Sequence, residues 1–78
     1  VPSEPSARLE QAEQRQRVRQ IVNQMPQHLR EVLILGYYHR FGYRQIAEIL
    51  DVPLGTVKSR LHAAVGYFAR AWRAAMQE

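Results

Sequence analysis

Apolar residues recur every three or four positions along most of this chain, the spacing that gives a helix one buried face. From Ala7 to about Met25 they are Leu9, Ala12, Val18, Ile21, Val22 and Met25, a stripe that is faint at first and clear after Val18. Before it, VPSEPS (residues 1–6) reads as a linker tail, with Ser6 placed to cap the first helix. Pro26 breaks that helix and opens a second, since Pro is tolerated where a helix does not need the missing N–H. The second helix carries Leu29, Val32, Leu33 and Tyr37 on one side. A short connection, His39 to Gly42, leads to an N-cap at Gly42 and a third, brief helix over Tyr43 to Leu50, with Ile46, Ala47 and Leu50 inward.

Asp51-Val52-Pro53 is a tight turn in which Asp tolerates a left-handed backbone. The fourth helix is predicted from about Leu54 to near Met76, with Val57, Leu61, Ala64, Val65, Phe68, Trp72 and Ala75 on one face. Phe68, Trp72 and Met76 are expected to complete the core or a partner-binding face, and Tyr37 and Tyr38 to pack with their hydroxyls in water. No alternating strand pattern occurs. The pattern predicts an all-α fold: a small four-helix domain over 7–78 with a C-terminal helix-turn-helix at about 43–65.

Composition narrows the chemistry. The chain has 78 residues, enough for one small domain, and it lacks Cys, so neither disulfides nor thiolate metal sites staple it. That fits a reducing compartment, and a cytoplasmic location is expected. His28, His39 and His62 are too scattered for a metal cage. No nucleophile stands beside a base and no carboxylate pair is evident, so neither an enzyme nor a bound cofactor or metal is expected. The longest apolar stretch, Val32 to Leu35, is far short of a membrane span, and no signal peptide is visible. A first residue Val1 in place of Met suggests a domain cut from a longer protein. The net charge of +4 leans toward the last third and biases the chain toward anionic partners, nucleic acid above all, although ordinary solubilising charge accounts for it equally well.

The stretch DVPLGTVKSRLHAAVG, Asp51 to Gly66, gives that charge a purpose. A short helix with Ala47 at its centre, a tight turn closed by Val52 and Val57, and a long helix form the layout whose second helix enters the DNA major groove. Pro53 fixes the approach to that helix. Gly55 lets the backbone come close to a phosphate at a helix start that already favours anions. Thr56, Ser59, Ala63 and Gly66 keep the outer face low, with Lys58, Arg60 and His62 around it as donors. Lys58 and Arg60 reach phosphates or guanine edges, Ser59 either base edges or phosphate. For Arg60 a phosphate or intramolecular role competes with a base contact, and for His62 plain solvation competes with a DNA contact. A plain helical bundle has a similar layout, but it would place acids at this helix start.

These residues resemble a known family. Met25-Pro26, Arg30-Glu31-Val32-Leu33, Tyr37-Tyr38, Tyr43, Ile46-Ala47-Glu48-Ile49-Leu50 and Gly55-Thr56-Val57-Lys58-Ser59-Arg60-Leu61-His62 look like region 4 of bacterial sigma factors, especially the extracytoplasmic-function (ECF) group. The likeness runs from Val22 to Phe68. It implies a transcription module that binds the -35 promoter element, docks on the beta flap of RNA polymerase and is often held by an anti-sigma factor. The DNA-binding residues it implies are Arg40, Tyr43, Arg44, Gly55, Thr56, Lys58, Ser59, Arg60 and His62. Two departures stand out. Ala63, Ala64 and Val65 follow the SRLH run where the family usually has Arg-Ala-Arg, and Gly42 and Arg44 replace a Ser or Thr and an acid. Arg44 could restore a phosphate contact at the third helix.

Two rival readings remain at this level. One is a sigma-like decoy that occupies an anti-sigma factor without reading DNA, favoured by Ala63 and Val65. The other is the effector domain of a response regulator, which the Pro26 opening and the SRLH run disfavour.

Overall fold

Val57 and Ala64, seven residues apart on the longest helix, are both fully buried and mark the axis around which the other helices assemble. A computed structural model describes residues 5–77. Within them lie α1 (Pro5–Gln24), α2 (Gln27–Tyr37), α3 (Tyr43–Leu50) and α4 (Leu54–Met76). Each of α1, α2 and α3 contacts α4, and α2 also touches α3. The predicted all-α, four-helix arrangement is the one observed, and α4 runs unbroken through Gly66.

Two apolar clusters share α2 and α4. Met25, Leu29 and Ala64 meet where α1 ends, with Leu33, Tyr67 and Phe68 against them. Val32, Ile46 and Val57 join α2, α3 and α4, with Ala47, Val52 and Leu61 among the side chains around them. Burying aliphatic groups of this size stabilises a fold by about 1.5–3 kcal/mol each. No buried polar or charged side chain interrupts these clusters among the described residues.

The helix ends explain how the elements are held. Pro26 precedes α2, and its carbonyl accepts from the Leu29 and Arg30 amides. The end of α1 is closed from three sides. Met25 N–H donates to Val22 O at 3.2 Å, the Arg30 guanidinium donates to Asn23 O at 3.1 Å, and Tyr67 Oη donates to Gln24 O at 3.2 Å. The Asn23 and Gln24 carbonyls, which a helix C-terminus would leave to solvent, are thus taken up by α2 and α4. Farther out, Arg17 Nη1 lies 3.1 Å from Met76 Sδ and ties the two long helices at their other end.

Several expectations need correction. α1 starts at Pro5, so Pro5 and Ser6 are helical where a linker and a cap were expected; the Ser6 side chain and residues 1–4 lie outside the described residues. Val65 is 59% exposed, because α4 turns it toward a gap between α1 and α2 that neither helix fills. Ala75 and Met76 are exposed too, although Arg17 of α1 reaches the Met76 sulfur. Tyr37 and Tyr38 are 76% and 65% exposed and pack edge-on against each other, ring centroids 6.0 Å apart.

Candidate nucleic-acid interface

The turn between α3 and α4 is built from backbone chemistry. Asp51 adopts φ 55° and ψ 51°, the left-handed conformation expected of it. Its N–H donates to Glu48 O at 3.3 Å, and the Val52 N–H to Ala47 O at 3.0 Å. This pair of bonds is a Schellman closure, and Ala47 and Val52 supply its apolar contact. Pro53 follows at φ -61° and ψ 152°, and its carbonyl receives the Thr56 and Val57 amides. The start of α3 is fixed just as locally. Gly42 serves as its N-cap, and Gln45 Oε1 accepts the Gly42 N–H at 2.9 Å.

This turn presents the first half of α4 outward. At roughly 100° per residue, Gly55, Ser59, Gly66 and Arg70 line the face opposite buried Val57, while Lys58 and Arg60 stand on its two flanks. Lys58, Ser59 and His62 are exposed; Arg60 and Thr56 are half-buried. No side chain caps the start of α4, and the Leu54 and Gly55 amides have no hydrogen-bond partner among the described residues. A Cβ on Gly55 would meet nothing within 4 Å, so packing within the chain does not require glycine there. Ser59 Oγ donates to Thr56 O at 3.1 Å, which uses the hydroxyl hydrogen and leaves only acceptor lone pairs outward.

The remaining candidates gather before α3. Arg40, Tyr43 and Arg44 are all exposed. Arg40 has φ 55°, uncommon for a residue with a long side chain. Beside it His39 stacks on Phe41, centroids 5.7 Å apart. Between residues 32 and 77 the only acids are Glu48 and Asp51, and α4 has none. Over the same stretch stand six Lys and Arg residues, so the charge of the turn and α4 is predominantly positive.

The model of one family, "Sigma-70, region 4", matches residues 15–66, the end of α1 through the outward half of α4. The chain belongs to the sigma-70 region 4 family. Two relatives agree with this. "ECF RNA polymerase sigma factor SigW" of Bacillus subtilis is 38% identical over 45 residues, covering 58% of this chain and 24% of that protein. "RNA polymerase sigma-H factor" of Pseudomonas aeruginosa is 38% identical over 47 residues, 60% of this chain and 24% of that protein. The chain thus spans about a quarter of the length of the curated relatives it matches.

Two features of this region 4 domain escape sequence reasoning. One is Arg70, whose place on the outer line shows only when helical phase is combined with side-chain direction. The other is an apolar groove of about 500 Å³ between α1, α2 and α4, with Val22, Leu33, Tyr37, Val65, Phe68 and Trp72 in its walls. Its signal in the sequence was Phe68 and Trp72, expected to complete the core or a partner-binding face. Among the described residues no helix is long and apolar enough to cross a membrane, and no cluster of His, Asp and Glu could hold a metal ion.

Proposed function

We propose that this chain is the promoter-recognition module of an ECF sigma factor, which reads the -35 element with α4 and so directs transcription initiation in the cytoplasm. It does no catalysis of its own. The observation that carries this reading is the start of α4, free of acids and of capping side chains, held outward by a rigid turn. Lys58 and Arg60 on opposite flanks suit the phosphates of the two groove walls, and Ser59 between them suits base edges. Arg40, Tyr43 and Arg44, at the start of the helix that crosses the backbone in such motifs, suit further phosphates, as does the bare backbone at Gly55. Thr56 and His62 complete the rim.

The test is a salt titration on a duplex selected from a random pool and on a scrambled one. Lys58→Ala should weaken binding to both duplexes alike and lower the slope of log affinity against log salt by about 1. Arg60→Ala should behave in the same way. Wild-type protein that binds neither duplex in a salt-dependent manner would refute DNA reading and leave the anti-sigma decoy in its place.

The groove favours a second, compatible role in protein docking. Its apolar walls suit a helix of the polymerase beta flap or of an anti-sigma factor. Trp72→Ala, which removes a groove wall without changing charge, should weaken binding to core polymerase and leave DNA affinity unchanged. An equal loss of both would show that the substitution disturbs the fold.

A further inference from the structure

The geometry points to Arg70 as an additional DNA-backbone contact, made possible by Gly66. A Cβ built on Gly66 would lie 3.3 Å from Arg70 Nη1, so the guanidinium folds back one turn and lies over the bare glycine. Helical side chains lean toward the N-terminus, which carries this long one toward Ser59 and away from the end of α4. A glycine inside a helix is costly relative to Ala, and here its absent side chain makes room for a cation. Among the described residues no side-chain hydrogen bond takes up that guanidinium. α4 itself has no carboxylate to pair with it.

Position selects the partner. Seven residues separate Ser59 from Gly66, a rise of roughly 10 Å along the helix. A recognition helix reads base edges with its N-terminal residues, so a guanidinium this much farther along α4 is placed for a backbone phosphate and not for a base. Arg70 in this way supplies a cation to the outer face of α4 just past Ala63 and Val65, where the resemblance led one to expect arginines.

This assignment rests on the DNA-binding reading of α4, and the experiment separates the two. Salt titrations with a fluorescein-labelled random-sequence duplex compare wild type with Arg70→Gln, Arg70→Lys, Lys58→Ala and Arg19→Gln. The last removes one charge from α1, outside the turn. Arg70→Gln should lower the salt slope by about 1, Arg70→Lys should keep it, and Arg19→Gln should leave it near wild type. Helical circular dichroism of Arg70→Gln should match wild type, since the side chain is exposed. An Arg70→Gln slope equal to wild type, beside a lowered Lys58→Ala slope, overturns the contact alone. A wild-type protein without salt-dependent binding overturns the contact together with the reading beneath it.

Discussion

Gly55 and Ser59 show how little side chain the outer face of α4 carries and how much that little decides. Gly55 has open space beside it, so Gly55→Ala should raise helix stability by about 0.5–1 kcal/mol. If the bare backbone admits a phosphate, the same change should lower DNA affinity. A thermal melt and a titration moving in opposite directions would establish this, whereas a gain in both would show that glycine serves no partner. Ser59 has given its hydrogen to Thr56 O, so it offers DNA an acceptor. It should prefer bases with amino donors in the major groove, adenine and cytosine, over thymine. Ser59→Ala should narrow the affinity difference between matched duplexes carrying adenine and thymine at the facing position by about 1 kcal/mol. An undiminished preference would place the reading elsewhere.

At the level of elements, the turn after α3 depends on a backbone state that most residues resist. Asp51→Val puts a β-branched side chain at positive φ and should cost about 1–2 kcal/mol. Urea unfolding should show a lower midpoint with the same slope, while Asp51→Gly should hold or improve it. The helices, this turn and its left-handed Asp were legible in the sequence because each follows from local rules: apolar period, proline, and the tolerance of Asp for positive φ. What was not legible depends on where neighbouring helices stop. Val65 sits about 80° round from Val57, on the edge of the apolar stripe, and counts as core only if another helix covers it. Neither α1 nor α2 covers it, so Val65, Tyr37 and Tyr38 line a groove instead. Arg70 was overlooked because periodicity places Cα atoms, while its guanidinium lies a turn away over Gly66.

Across the whole molecule, α2, α3 and α4 meet at Ile46, which has no exposed surface. Ile46→Ala should cost about 2–5 kcal/mol, a large part of the folding free energy of a domain this small. Leu61, half-buried at the edge of the same cluster, should cost less when truncated. Equal urea midpoints for the two variants would contradict this ranking. The two proposed working faces lie on different sides of α4, the DNA-binding face around Ser59 and the apolar groove around Phe68 and Trp72. Trp72 is the single tryptophan of the chain, stacked on Phe68 with centroids 5.9 Å apart and partly exposed to water. The protein thus contains its own optical reporter for one face. An apolar helix settling into the groove should dehydrate the indole and shift its emission to the blue, while a duplex across Ser59 should leave the spectrum where it was. Two kinds of partner could then be told apart in one cuvette, without a label, by the colour of the emitted light.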